Sequence, residues 1–102
     1  SGGQFYELMA GHDRFNADLR PNVEGLLRQQ GKALGICCHP YDVCTELVAR
    51  RHGVVITDPE GAPLDAPLDT TSPVAWVAYA NETLRQTIEP VLQRTMREHG
   101  LL

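Results

Sequence analysis

The chain has little with which to grip a nucleic-acid backbone, cross a membrane or knit a disulfide framework. Lysine and arginine number 9 against 13 aspartates and glutamates, for a formal net charge of −4. Neutralising phosphates needs a basic face, so this balance argues against a general nucleic-acid binder. No apolar run approaches the roughly 20 residues needed to span a bilayer. No basic-then-apolar signal segment opens the chain. There are only 3 cysteines, an odd count, and Cys37 and Cys38 are adjacent. That is not a disulfide framework, and a reducing, cytoplasmic setting is expected. What is present is ordinary for a folded domain: 42% hydrophobic and 22% charged residues over 102 positions. That length fits one domain with its own core, and the composition excludes intrinsic disorder.

Local patterning alternates helices with strands. Phe5, Leu8 and Met9 share a helical spacing that Gly11 stops, and Asp13-Arg14-Phe15 predicts a short strand. Pro21 suits a first helical turn, with Val23, Leu26 and Leu27 on one face until Gly31. Ala33–Cys38 is a short apolar run that suits a buried strand. A helix is expected over 41–52, with Val43, Cys44, Leu47 and Val48 facing inward and Gly53 as its stop. Val54-Val55-Ile56-Thr57 is the clearest strand, being β-branched and bounded by Gly53 and Asp58-Pro59. The segment 58–73 holds four prolines and reads as loop. Val74–Ala80 predicts another strand. Asn81 then caps a final helix over 82–98 with Leu84, Ile88, Val91, Leu92 and Met96 inward. Pro90 should kink that helix or divide it. The expected fold is α/β, a mixed and partly parallel sheet with helices packed on it.

Several residue groups invite chemistry. Cys37-Cys38-His39 followed by Cys44 suggests zinc, but adjacent strand residues point to opposite faces and no second ligand pair follows. The plainer reading is small apolar fillers in a buried strand and helix. A cysteine nucleophile beside His39 meets the same objection, and Cys44 would need the first turn of a helix to lower its pKa. Asp58, Glu60, Asp65 and Asp69 lack the alternating ligands of a calcium loop and read as a solvated turn. Asp42 stands apart. It follows Pro40-Tyr41 between a predicted strand and a helix, where open α/β folds place ligands. A carboxylate there can hold a hard cation such as Mg²⁺, or it can cap the helix.

The order of segments resembles the inositol monophosphatase family. Ser1-Gly2-Gly3 leading into Glu7-Leu8-Met9-Ala10-Gly11, then Asp13-Arg14-Phe15, is similar to that family's Gly-Ser-Ala-Ala helix and the short strand after it. Pro40-Tyr41-Asp42-Val43, then Leu47-Val48-Ala49-Arg50 and Gly53-Val54-Val55-Ile56-Thr57-Asp58, resembles the second signature: Trp-Asp-Val-Ala-Ala-Gly, a helix, and a Val-rich strand ending in Asp. Gly61-Ala62-Pro63-Leu64-Asp65 is similar to the Gly-Gly-Pro-Leu-Asp turn. Val77-Ala78-Tyr79-Ala80-Asn81 is similar to the Ala-Ala-Asn end that launches the last helix. The resemblance implies Mg²⁺-dependent hydrolysis of a sugar or polyol phosphate. Metal ions would activate a water and stabilise charge on the transferring phosphoryl group. It implies that Asp42 ligates the second Mg²⁺ and that Ser1, His39 and Tyr41 line the substrate pocket.

The sequence departs from the family pattern in instructive places. Tyr41 replaces the usual Trp, and one residue is missing between Asp42 and Gly53. Gly35 falls where inositol-specific members carry a substrate-binding Glu, so inositol itself is not supported. Residues 16–35 form an atypical insertion. The Asp-Pro-x-Asp-Gly-Thr segment and the upstream Glu-Glu pair do not occur. The chain therefore looks like the C-terminal half of such a phosphatase, inactive alone, with the N-terminal half of the same enzyme or a second chain as partner and homo-oligomers expected. The Met-less opening at Ser1 agrees with a chain entered in the middle; a processed terminus on an intact domain is the other reading. The alternative function is a non-catalytic binding or assembly module on the same fold.

Overall fold

A computed structural model describes residues 3–33, 44–65 and 72–102. Residues 34–38 of the predicted strand Ala33–Cys38 and 41–43 of the predicted helix 41–52 lie outside these, as does 66–71 of the loop. The described residues form a mixed α/β structure. The elements run α1 (Gln4–Met9), β1 (Phe15–Asp18), a 3₁₀ turn (Arg20–Val23), α2 (Glu24–Gln29), α3 (Glu46–Arg51), β2 (Val55–Thr57), β3 (Trp76–Tyr79) and α4 (Glu82–Glu98).

The three strands form one sheet in the order β1-β3-β2, and both ladders are antiparallel. Among the described residues the expected parallel pairing is not seen. The last strand in sequence enters between the other two and runs against both. Ala78 sits opposite Asn16 on one side and Ile56 on the other. The strand over Gly53–Thr57 and the one over Val74–Ala80 are thus direct neighbours. The strand predicted over Asp13–Phe15 begins at Phe15 instead and takes the other edge. There the Asp13 carboxylate accepts from Asn16 Nδ2 at 3.0 Å, so Asp13 braces the strand from outside it.

All four residues of β3 are buried, which requires cover on both faces because side chains alternate along a strand. Trp76 and Ala78 face α1 and α3, packing with Phe5, Leu8, Ala49, Val54 and Ile56 in one cluster. The Phe5 and Trp76 rings meet edge to face, centroids 4.8 Å apart, a favoured aromatic geometry. Val77 and Tyr79 face the other way, toward α4. The Tyr79 ring lies 5.6 Å from that of Phe15 across the β1–β3 ladder.

Three inward faces differ from the sequence expectation. In α3 the buried residue is Ala49, while Leu47 is 70% and Val48 52% exposed, and Cys44 is exposed as well. The helix has only six residues and lies against α1 and β2. A small side chain permits that approach, and the larger residues turn outward. In α4 Met96 is buried and Val91 is 50% exposed, so the inward stripe is narrower than its apolar spacing implies. In α2 no residue is buried and Leu26 is 44% exposed.

α4 runs through Pro90 as one helix of 17 residues, so the proline does not divide it. Its start is well specified: Asn81 is extended and its Oδ1 accepts from Leu84 N–H at 2.9 Å, satisfying one of the unpaired donors of the first turn.

Two outcomes follow. Trp76→Ala should cost about 3–5 kcal/mol, the range for deleting a large buried aromatic, read as a fall in the urea midpoint at unchanged slope. A cost below about 1 kcal/mol would place Trp76 outside the core. Pro90→Ala should stabilise by up to about 3 kcal/mol, because it restores a backbone donor and removes the ring clash inside a helix; an unchanged melting temperature would contradict this.

Candidate functional site

The site residues Ser1, His39, Tyr41 and Asp42 lie outside the described residues, and with them Cys37 and Cys38; Cys44 is described and exposed. Their described neighbours still bear on them. The N-cap of α3 is Thr45, whose side chain makes no capping hydrogen bond. Asp42 stands three residues ahead of that position. Within the described residues, the helix expected over 41–52 is present as Glu46–Arg51 with Thr45 at its N-cap. On the other flank, Gly3 is the N-cap of α1 and likewise makes no side-chain cap.

The acidic loop behaves as a turn. Asp58 Oδ1 accepts from the backbone N–H groups of Glu60 and Ala62, both at 2.9 Å. Its own N–H donates to Ala62 O at 2.8 Å. Thr57 bridges Pro63 in antiparallel fashion. Gly61 holds a φ of +91°, a left-handed conformation that favours glycine. A Cβ there would also meet Gln93 Nε2 at 3.0 Å and Glu89 Oε2 at 3.2 Å. The turn is therefore seated against α4, and the Asp58 oxygen is spent on the backbone. Among the described residues no group of three or more His, Cys, Asp or Glu could hold a metal ion.

Beside this turn lies a cleft of about 300 Å³ lined by Arg50, Thr57, Gly61, Pro63 and Arg85. Both arginines are engaged. Arg50 Nε donates to Glu46 at 2.7 Å and Nη2 to the Ile56 carbonyl at 2.8 Å. Arg85 Nε donates to Glu89 at 3.2 Å and Nη1 to Glu82 at 3.1 Å. The hydrogen bond that Arg85 donates to Glu89 raises the Arg85 pKa further. Three carboxylates around two guanidiniums leave the cleft without surplus positive charge. Its chemistry is structural: Arg50 ties α3 to the β2 backbone, and Arg85 stiffens the first turns of α4. Sequence reasoning passed over this cluster, although the i,i+4 spacing of Glu46–Arg50 and Arg85–Glu89 announces such pairs.

Tyr79 lies under α4 at 1% exposure. Burial, reinforced by the Glu89 carboxylate and opposed by Arg85, pushes its pKa up to about 12. The neutral phenol is the form the fold accepts.

Along the other edge of the sheet, beside β1, a larger open cavity of about 620 Å³ is lined by Gln4, Ala17, Asp18, Leu19, Arg20 and Val23. Asp18 is 8% exposed, and its Oδ1 accepts from Arg20 Nε at 2.8 Å while Oδ2 pairs with Nη2. This fork geometry satisfies a buried carboxylate. The sequence offered no signal for its burial, since Asp18 falls in the segment 16–35 assigned to an insertion. Gln4 Oε1, Thr45 Oγ1 and Trp76 Nε1 are buried without a hydrogen-bond partner among the described residues. Unsatisfied groups of this kind cost about 1–3 kcal/mol each.

Comparison with protein-family models, with curated proteins and with solved structures finds no match. No helix among the described residues is long and apolar enough to cross a membrane.

The raised Tyr79 pKa has a definite sign. A proton held more tightly in the folded state contributes stability below the unfolded pKa of 10, and that contribution is lost as pH rises through about 12. The wild-type chain should therefore lose stability more steeply between these pH values than Tyr79→Phe, as read by urea melts of both. Parallel curves would show that the phenol titrates alike in both states.

Proposed function

We propose that the chain is the C-terminal domain of a Mg²⁺-dependent phosphomonoesterase acting on a sugar or polyol phosphate, in the manner of the inositol monophosphatase family. It contributes one metal-ligand carboxylate, Asp42, and part of the substrate pocket through Ser1, His39 and Tyr41. The supporting observation is the order of elements. A helix ends in Ala10-Gly11 and leads to a short strand. The helix α3 precedes the short strand Val55–Thr57, which leads into Asp58. A turn with Gly61 in the left-handed region returns through Pro63. The strand before Ala80-Asn81 launches the last helix through an Asn81 cap.

Among the described residues no group of side chains fits a metal site. In this reading the remaining ligands belong to a segment bearing the Asp-Pro-x-Asp-Gly-Thr and Glu-Glu carboxylates, and this chain alone is inactive. Leu47 and Val48, at 70% and 52% exposure, are apolar side chains on the outer side of α3 that a partner half or second chain could cover. A non-catalytic assembly module would use the same surface, and only activity of the complete protein separates the two.

Asp42→Asn in the complete protein should abolish Mg²⁺-supported release of phosphate from sugar phosphates, since the amide lacks the charge a hard cation needs. The melting temperature should stay close to wild type. Near-normal turnover would remove Asp42 from the site. For the isolated chain, sedimentation velocity over a wide concentration range should reveal association, weakened when Leu47 and Val48 are both changed to Asp. A clean monomer throughout would count against a missing partner.

A further inference from the structure

We draw no further inference here: the strongest candidate, the apolar groove of about 400 Å³ between α4 and β1 lined by Phe15, Thr87, Ile88, Val91, Leu92 and Thr95, has nothing in the structure to show what covers it.

Discussion

The double-sided burial of β3 is the constraint on which the rest of the structure depends. A strand of four residues cannot exclude water from both faces by itself, so Trp76 and Ala78 must find α1 and α3 while Val77 and Tyr79 find α4. Its central position in the sheet follows from the same need. β1 and β2 pair with its two edges and satisfy its backbone groups, which is costly to omit in a buried strand. Both ladders are antiparallel. The Phe5–Trp76 ring contact then fixes how closely α1 approaches the sheet, and the small Ala49 lets α3 close the same side.

The polar groups are organised around this frame. Arg50 reaches from α3 to the Ile56 carbonyl, so the helix is tied to the β2 backbone by a charged donor as well as by apolar contact. The Asp58 turn is held to α4 through the close fit of Gly61 against Glu89 and Gln93. Glu89 in turn engages Arg85 and raises the Tyr79 pKa. One acidic side chain thereby links the β2–β3 connection, the last helix and the ring beneath it. Such a network is better suited to fixing geometry than to binding an anion, because each guanidinium already has carboxylate partners.

The proposed catalytic role sits apart from these features. Its residues cluster by sequence around Pro40-Tyr41-Asp42 and at Ser1, and the described structure approaches them only from their flanks. The proposed resemblance to phosphatases rests on the ordered set of sequence segments. Activity would require carboxylates beyond those of the described residues, since a pair of divalent ions needs more than one acidic ligand.

Local sequence by itself determined the type and approximate place of most elements. β-branched residues between Gly53 and Asp58 can only form a short strand, and an Asn followed by an amphipathic run specifies a capped helix whatever surrounds it. These are properties of neighbours in the chain. Tertiary structure decided which faces are inward and which strands pair. The apolar spacing of Leu47 and Val48 promised burial, but a six-residue helix pressed against α1 and β2 had room only for Ala49. Val91 keeps an apolar position in the pattern yet is half exposed. Asp18 is the converse, a charged residue drawn inside because Arg20 lies two positions away to pair with it. The candidate site was legible as a motif in sequence, where Asp42 follows an apolar run and a proline. Its geometry was not, because ligand convergence depends on segments distant in the chain, and no local pattern encodes where those meet.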